Sequence, residues 1–484
     1  MSNYIKSSII SGFIWTGFQT VGTKLISLGT QLLLAWLLLP EDFGKVSIAL
    51  SITSIVFIIQ NFGLSDVLVS RGKMFTSIYH LAKSLSSLVA IICVVITVIA
   101  AFLGGYIYDD KDITNLILIF SFAIPFTTLS VVPDAKLRID LKFKQLSIIR
   151  VTEFLISQTA IICFVFLGFG IYGFVLGPLI SAIVRYIWLT KAANCTHFFS
   201  FTLHHYMYLF GNSIYGFFYS LFETIIRHSD YLILALFVSK TLVGIYFMAY
   251  SLSVQVIGLL VNALSPILFP SLMKIPINEV ERIKNILLKI TIFFSMFGMP
   301  FAIWQAAISE SLISLFFGEK WHDTIILVQI LSIGIGFKVA STLWDTALRI
   351  KSKYKSQAIY SFISAVFFLS LITPFSCYMG NKGLAIGVSL YYIISGPLLL
   401  YFSFKNYQIK IIEIFKPIIK YFLLSVLVFG AYYYFSSTED LDSLIKILVN
   451  GILSPLTYIL TLYFLDNDFK LFLIELKISK FKKK

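Results

Sequence analysis

The stretch LVAIICVVITVIAAFLGGYIY, Leu88–Tyr108, contains 21 consecutive residues without a charge. About 20 apolar residues cross the hydrocarbon core of a bilayer as an α-helix, so this segment is long enough to span a membrane. The runs Tyr421–Phe435 and Ile447–Leu465 have the same character. Strands of a membrane barrel would instead alternate apolar and polar residues in segments of about ten. The sequence therefore predicts an all-α membrane protein.

The composition of the whole chain agrees with this interpretation. Of its 484 residues, 58% are hydrophobic and 13% are charged, whereas a soluble domain carries about 25% charged residues. A soluble enzyme is therefore excluded. Fourteen transmembrane helices are predicted, near 10–38, 43–64, 78–103, 113–133, 147–168, 171–190, 208–236, 241–265, 286–308, 322–347, 356–378, 383–404, 415–436 and 443–464.

The loops between these segments divide into two sets of opposite charge. The set that includes both termini holds 23 Lys and Arg against 9 Asp and Glu, and the other set holds 4 against 10. We call these sides the basic face and the acidic face. The positive-inside rule predicts that the basic face and both termini are cytoplasmic. Because the basic residues are concentrated in the loops of one side, the net charge of +14 does not indicate a nucleic-acid partner.

Targeting signals and cysteine spacing give little further information about the function. The apolar run after Lys6 lacks a small-residue cleavage site, which predicts a retained first helix rather than a signal peptide. The cysteines have no metal-like spacing, so neither a metal site, another cofactor nor a disulfide framework is expected; they are Cys93, Cys163, Cys195 and Cys377.

The chain contains a weak internal repeat. A shift of 200 residues over Leu32–Leu68 gives ten identities in 37 positions, among them Gly44 with Gly244. The shift matches helices 1 and 2 with helices 7 and 8, which keeps their direction through the bilayer. We expect two six-helix lobes, 1–195 and 196–405, related by a pseudo-two-fold axis along the membrane normal. Helices 13 and 14 (406–466) and a basic tail (467–484) would follow. Convergence of two apolar hairpins is the alternative explanation.

Several motifs carry a family resemblance. They are AWLLLPEDFGKVSIA (Ala35–Ala49), GLSDVLVSR (Gly63–Arg71), VPDAKLRIDLKFKQLSIIRV (Val132–Val151), SDYLILALFVSKTLVGIYFMAYSL (Ser229–Leu252), LFP (Leu268–Pro270) and LFFGEKW (Leu315–Trp321). The chain resembles the Wzx-type polysaccharide flippases, which handle lipopolysaccharide and O-antigen units. Those belong to the multidrug, oligosaccharidyl-lipid and polysaccharide exporter superfamily. The resemblance covers about residues 10–405 and implies two helical bundles around a central cavity, with alternating access. Trp36 replaces the basic residue that is usual after Ala35 in the motif.

Six charged residues fall deep inside predicted helices. A charge at the centre of a bilayer costs roughly 2.5–3.5 kcal/mol, so these residues must face protein or a watery cavity. They are Lys24, Glu223, Arg227, Asp230, Lys338 and Asp345. Lys24 and Arg227 lie at comparable depth in repeat-related helices, and one cation from each lobe is expected to face a shared cleft. These two residues and Lys338 are the candidate ligands of a lipid diphosphate, because fixed cations form charge-assisted hydrogen bonds with phosphate.

The acidic residues allow two interpretations. Glu223, Asp230 and Asp345 are candidates for carrying H⁺ or Na⁺, and internal pairing with Arg227 or Lys338 is the alternative. Asp230 lies within a family motif and is interpreted as a residue that organises the lobe. Glu153, close to Arg150 at the basic face, is interpreted as a salt-bridge residue, with titration during transport as the alternative.

The predicted function is transport rather than catalysis. No GxxxxGK[ST] phosphate loop occurs, so ion-coupled exchange or downhill flipping remains. The resemblance implies a flippase for an undecaprenyl-diphosphate-linked oligosaccharide, with membrane lipids, H⁺ or Na⁺, and a polymerase as candidate partners. The alternatives are a flippase for the lipid-linked peptidoglycan precursor, a cation-coupled drug exporter, and a polysaccharide polymerase or ligase.

Overall fold

A computed structural model describes residues 22–60, 64, 68–69, 75–194, 214–255, 257–261, 272, 275–276, 279–438, 443–471 and 474. Throughout these residues the regular secondary structure is helical, which confirms the all-α prediction. Cys195, the LFP motif and most of the basic tail lie outside the described residues, as does most of GLSDVLVSR.

Helices occupy the positions that the sequence predicts. We number them α1 (22–37), α2 (Pro40–Gln60), α3 (Phe75–Ile107), α4 (Lys111–Ser121, continued by Ile124–Leu129 and Val131–Ile139), α5 (Phe143–Phe164), α6 (Gly173–Ala192), α7 (Ile214–Leu234), α8 (Lys240–Ser253), α9 (Val280–Phe316), α10 (Thr324–Ala340, continued by Trp344–Ile350), α11 and α12 (together Tyr354–Phe404), α13 (Ile411–Thr438) and α14 (Ser443–Leu448, continued by Ser454–Leu465). We call α1–α6 the first half and α7–α12 the second half.

Eight segments of the described chain are long and apolar enough to cross a membrane. One of them, Tyr354–Tyr407, has twice the usual length and folds back on itself. Gly380 has a φ of 58°, in the left-handed region that favours glycine. Beyond it, a β-carbon placed on Gly387 would lie 3.4 Å from the Cα of Ile372. A straight helix would separate these two residues by about 22 Å, so α11 and α12 form a hairpin.

The segment Phe143–Ala192 is also of double length and also reverses. A β-carbon on Gly177 of α6 would lie 2.8 Å from the carbonyl oxygen of Ser157 in α5. These residues would be about 30 Å apart in one straight helix. The reversal falls between the two predicted segments 147–168 and 171–190, so the sequence places this turn correctly.

The two halves meet where α2 crosses α8. A β-carbon on Gly44 would lie 1.9 Å from the carbonyl oxygen of Lys240, and one on Gly244 would lie 1.7 Å from that of Pro40. The contact is reciprocal, and each of its members is related to its counterpart by a shift of 200 residues. Small residues allow helix backbones to approach this closely within a membrane. The backbones of α2 and α8 are therefore in direct contact.

Aromatic rings surround this crossing. The ring of Phe43 in α2 is fully buried and lies edge-on to Trp321, with 5.2 Å between ring centroids, and to Phe174, at 5.5 Å. Trp321 belongs to the turn between α9 and α10. Edge-to-face pairs of this kind add roughly 0.5–1.5 kcal/mol to the burial of the rings. The apolar core thus runs across the boundary between the two halves.

Helices α13 and α14 pack against α9 of the second half. The indole Nε1 of Trp304 donates to the carbonyl oxygen of Asn450 at 2.9 Å, and the Tyr458 hydroxyl donates to that of Met296 at 3.2 Å. Both bonds join α9 to α14. Because hydrogen bonds at membrane depth have no water to replace them, they fix α14 on one side of the second half.

The glycine crossing gives a test of stability. Gly44→Ala and Gly244→Ala should each destabilise the protein by about 1–3 kcal/mol, because the added methyl groups would overlap backbone atoms. The measurement is the temperature at which detergent-solubilised protein loses half of its monodisperse fraction. Gly430→Ala is the control, since a β-carbon there has no atom within 4 Å. Equal melting temperatures for all three variants would contradict the close crossing.

Candidate functional site

Polar contacts close the acidic face between the two halves. Lys240 at the start of α8 places its Nζ 2.6 Å from Oδ2 of Asp110, the residue that precedes α4. Asp110 also caps α4, because its Oδ1 accepts the backbone N–H of Asp112 at 2.8 Å. Lys45 of α2 pairs with Asp112 at 2.8 Å and reaches Asp110 at 3.7 Å. We call these four residues the acidic-face latch.

A second set of contacts closes the same face beside α1. Lys320 Nζ donates to the carbonyl oxygens of Trp36 at 3.1 Å and Leu38 at 2.9 Å, and Trp321 Nε1 donates to that of Ala35 at 3.1 Å. The last carbonyls of a helix lack partners within the helix, so donors from elsewhere satisfy them. Burial lowers the pKa of the Lys320 ammonium, and the Asp42 carboxylate opposes that shift. The turn between α9 and α10 therefore caps the end of α1.

Trp36, the departure from the family motif, takes part in this closure. Its indole Nε1 donates to the carbonyl oxygen of Phe316 at 2.6 Å, while its own carbonyl accepts from Lys320. The hydrogen bonds and ion pairs described at the basic face, in contrast, each join residues on the same side of the boundary between the halves.

Lys24 lies where α1 meets α8 of the second half. Its Nζ donates to Oε1 of Gln255 at 3.0 Å. Its aliphatic stem fills the space beside Gly258, where a β-carbon would lie 2.4 Å from Lys24 Cε. Farther toward the acidic face, the Gln31 amide donates to the hydroxyl of Ser251 and to Sδ of Met248. Lys24 is therefore held across the boundary between the halves by a neutral amide.

A second group of charges lies inside the second half. Lys338 of α10 donates to the Tyr392 hydroxyl at 2.8 Å and lies 4.3 Å from the centroid of that ring. The Glu223 carboxylate of α7 lies within electrostatic range of both the Lys338 ammonium and the Arg227 guanidinium. Lys338 combines a hydrogen bond with a cation–π contact, which stabilises an ammonium away from bulk water. The structure thus brings Glu223, Arg227 and Lys338 together.

Arg227 differs from its neighbours in being exposed. Among the described residues it makes no ion pair within 4 Å, although it lies within electrostatic range of Glu223, Lys338 and the buried Tyr250. His228, beside it, is half-buried. The guanidinium is therefore accessible while it lies within electrostatic range of interior groups.

Asp230 is buried, and both of its carboxylate oxygens accept hydrogen bonds. Its Oδ2 accepts the Tyr246 hydroxyl at 2.9 Å, its Oδ1 accepts the backbone N–H of Tyr231 at 2.9 Å, and the residue is 1% exposed. These bonds join α7 to α8. Asp230 and Arg227 therefore point in different directions, although their spacing places them on one side of α7.

Asp345 lies just beyond a break in α10. The predicted transmembrane segment 322–347 coincides with the apolar span Thr324–Ile350, and within it the helix is interrupted at 341–343. Asp345 follows the interruption, and its Oδ1 accepts the backbone N–H of Thr346 at 2.7 Å. Tyr219 of α7 lies 3.5 Å from Oδ2. Lys338 and Asp345 therefore stand on separate helical segments.

Glu153 belongs to a cluster at the basic face of the first half. Its Oε1 lies 3.2 Å from Arg185 of α6. Asp134, which is 4% exposed, pairs with Arg138 at 2.6 Å and with Arg150 and Arg185 at 3.5 Å each. The cluster ties α4, α5 and α6 together and stands apart from Lys24 and the second-half charges.

Two groups were missed from the sequence, the acidic-face latch and the tyrosines around Asp230 and Lys338. A signal for the latch existed, because Lys240 is one of the few basic residues in the acidic loops and Asp110 belongs to an acidic run. Within the described ranges, no group of three or more His, Cys, Asp or Glu residues could hold a metal ion.

Comparison with known proteins gives consistent results. A family model described as "Polysaccharide biosynthesis protein" matches residues 33–326. The chain is 22% identical to the lipopolysaccharide biosynthesis protein WzxC of Escherichia coli K12, over 89% of this chain and 83% of WzxC. It is 24% identical to the capsular polysaccharide biosynthesis protein CapF of Staphylococcus aureus, over 70% of this chain and 85% of CapF.

Solved structures share the fold. The lipid II flippase MurJ in an inward closed conformation aligns with a TM-score of 0.67 at 19% identity, over 92% of this chain and 99% of MurJ. An inward-facing multidrug resistance transporter of the MATE family and MOP superfamily aligns with a TM-score of 0.60 at 13% identity, over 80% and 94% of the two chains. The fold is therefore that of MurJ and the MATE transporters.

The family match, the relatives and the fold all agree with the resemblance predicted from the motifs. The resemblance to the Wzx-type flippases is thereby confirmed, and the chain belongs to the family of polysaccharide biosynthesis proteins.

Proposed function

We propose that the protein is a flippase that moves an undecaprenyl-diphosphate-linked oligosaccharide across the bacterial inner membrane for surface polysaccharide assembly. The observation that carries this proposal is the position of Lys24, a cation at membrane depth held across the boundary between two helical halves. A diphosphate must leave the headgroup layer to cross the bilayer. Fixed cations along its route supply charge-assisted hydrogen bonds in place of water.

The proposal includes a topology. Fourteen helices cross the membrane, the basic face and both termini are cytoplasmic, and the acidic face is periplasmic. Residues 1–195 and 196–405 form two lobes related by a pseudo-two-fold axis, with α13 and α14 in 406–466 and the tail 467–484 outside the pair. The reciprocal contact of Gly44 and Gly244 supports such an axis, because contacts across a two-fold axis exchange equivalent residues.

In the proposed mechanism, the cleft between the lobes receives the diphosphate. Lys24 comes from the first lobe, while Arg227 and Lys338 come from the second. Arg227 is accessible and lacks a described ion-pair partner, so its guanidinium is available for bidentate contact with phosphate. Lys24 is bonded to a neutral amide, which a phosphate oxygen can displace. Lys338, already bonded to Tyr392, supplies mainly long-range attraction.

The acidic residues have different roles in this scheme. Asp230 organises the second lobe through its bonds to Tyr231 and Tyr246. Glu153 stabilises the packing of α5 against α6. Glu223 and Asp345 remain as the acids that exchange H⁺ or Na⁺, and Glu223 lies within electrostatic range of both Arg227 and Lys338. Neutralising Glu223 would strengthen the positive potential that attracts the substrate.

Transport proceeds by alternating access. The latch and the bonds at the end of α1 close the acidic face, while described polar contacts at the basic face stay on one side of the boundary between the halves. This arrangement corresponds to a state that loads from the cytoplasm. Release into the outer leaflet requires the acidic-face contacts to break.

Three alternative functions remain. The MurJ fold supports a flippase for the peptidoglycan precursor equally well, because a fold does not identify the substrate. A drug exporter for organic cations needs an acid-dominated cavity, whereas the six embedded charges balance. A polymerase or ligase needs a large loop to hold its acceptor, and the turn between α9 and α10 is short.

Deletion of the gene separates these alternatives. We expect lipid-linked repeat units to accumulate on the inner leaflet, detected by extraction and by their resistance to a glycosidase added outside. Units that accumulate on the outside would indicate a polymerase or ligase instead. Accumulation of the peptidoglycan precursor, or unchanged lipid pools with loss of drug resistance, would point to the other two alternatives.

The cleft cations provide a second test. Lys24→Ala or Arg227→Ala should each lower surface polysaccharide about tenfold in the deletion strain, because a hydrogen bond to a charged group contributes roughly 1.5–3 kcal/mol. The double variant should be worse. Lys24→Arg should retain activity, and Lys382→Ala, which removes an exposed charge from the turn between α11 and α12, is the control. Normal polymer from the double variant at native membrane levels would remove both residues from the site.

A third test concerns the latch. In a variant without native cysteines, Ser251→Cys reports access to the cleft from outside through a membrane-impermeant thiol reagent. Lys240→Glu should increase labelling several-fold, because removing one partner of a buried ion pair costs up to roughly 3–5 kcal/mol and the side chain of Asp110 is 9% exposed. Lys382→Glu is the control, because it makes the same charge reversal on the acidic face at a residue outside the latch. Equal labelling in both variants would exclude the latch as a barrier.

A further inference from the structure

A cavity of about 320 Å³ lies between α1 and the second half. Its lining is apolar except for one amide and one hydroxyl residue of α9. The walls include Leu28, Gly29 and Leu32 of α1, Leu252 of α8, and Leu312 and Phe316 of α9. Phe316 also accepts the hydrogen bond from Trp36, so the cavity lies directly beneath the closed acidic face.

The cavity continues the surface of α1 that carries Lys24. Leu28 follows Lys24 by four residues and Leu32 by eight, which places all three on one side of the helix, about 6 Å apart along its axis. On the facing helix, Gln255 bonds Lys24 and Leu252, three residues earlier, lines the cavity. On both sides, therefore, a residue about one helical turn from the Lys24–Gln255 contact lines the apolar cavity.

The one amide in the wall bonds another residue of the wall. Gln305 of α9 donates through its Nε2 to the carbonyl oxygen of Leu252. Gly29 leaves the cavity open on the side of α1, because a β-carbon built there has no atom within 4 Å. The space thus suits a flexible hydrocarbon chain that enters beside Gly29.

We propose that this cavity binds the first isoprene units of the polyprenyl tail while Lys24 holds the diphosphate. The inference rests on the proposed function and adds to it a site for the tail. The occupant must combine an anionic group at mid-membrane depth with hydrocarbon directly attached. A resident phospholipid keeps its headgroup at the interface, whereas Lys24 falls at the middle of the predicted transmembrane segment 10–38. Only a lipid in transit presents its charge and its chain at these two places.

Gly29 allows a direct test by filling the cavity. Gly29→Ala, Gly29→Val and Gly29→Leu add side chains of increasing volume from a β-carbon that has no atom within 4 Å. Gly430→Leu, on the exposed side of α13, is the matched control. The probe is a polyprenyl diphosphate with a diazirine in its first isoprene units, added to the full-length protein in proteoliposomes. Labelled peptides are identified by mass spectrometry, and a diazirine phospholipid is the comparison.

We expect the polyprenyl probe to label α9 peptides containing Leu312 and Phe316. Gly29→Leu should reduce that labelling about tenfold, equivalent to ~1.4 kcal/mol, with graded losses for the smaller side chains and none for Gly430→Leu. Surface polysaccharide should fall in the same order. The phospholipid probe should label these peptides weakly.

Other outcomes would overturn the inference in distinguishable ways. Full activity and unchanged labelling in Gly29→Leu would show that the tail lies elsewhere. Lys24→Ala would in that case still lower surface polysaccharide about tenfold. Equal labelling by the phospholipid probe would make the cavity a site for bulk lipid. If the deletion strain accumulates no lipid-linked units and the polyprenyl probe labels no cleft peptide, the proposed function fails together with the site.

Discussion

The cost of placing a charge in hydrocarbon governs the interior of this protein. Several of the embedded charges are compensated by a particular neighbour, and the kind of neighbour differs from one charge to the next. Asp230 is surrounded by hydrogen-bond donors, and Lys338 is paired with a tyrosine ring and hydroxyl. Lys24 has a neutral amide, and Arg227 has no described ion-pair partner. In the proposed function, the incomplete compensation of these two cations leaves them available to a charged substrate.

A frame of close helix contacts holds these groups in place. Gly44 and Gly244 let two backbones touch, and the rings of Phe43 and Trp321 extend the contact to the turn between α9 and α10. In the proposed mechanism, a crossing near the acidic face lets the cleft widen toward the basic face while the contact is kept. The pairing of Lys24 with Gln255 farther along α8 depends on the same crossing. The closed acidic face, the apolar cavity and the position of Lys24 thus all belong to the interface between the two halves.

The sequence predicts the helices well, because an apolar run of about 20 residues has few alternatives to a membrane-crossing helix. The repeat also identified Gly44 and Gly244 as equivalent, although it could not show that they touch. Pairing across distant segments was harder to predict. Glu153 follows Arg150 by three residues, yet its closest contact is with Arg185 on another helix. The ion pair of Asp110 with Lys240 joins loops 130 residues apart, and no local pattern encodes that approach.

The contacts that cap α1 have a consequence for how this region can vary. Lys320 and Trp321 donate to main-chain carbonyls, which every residue type supplies. Replacement of the side chains at 35–38 therefore leaves the acceptors in place, so this part of the closure tolerates sequence drift. Trp36 departs from the family motif, and its main-chain carbonyl still accepts from Lys320. The latch at Asp110 and Lys240 joins side chain to side chain, and a change in one of these residues must be matched in the other.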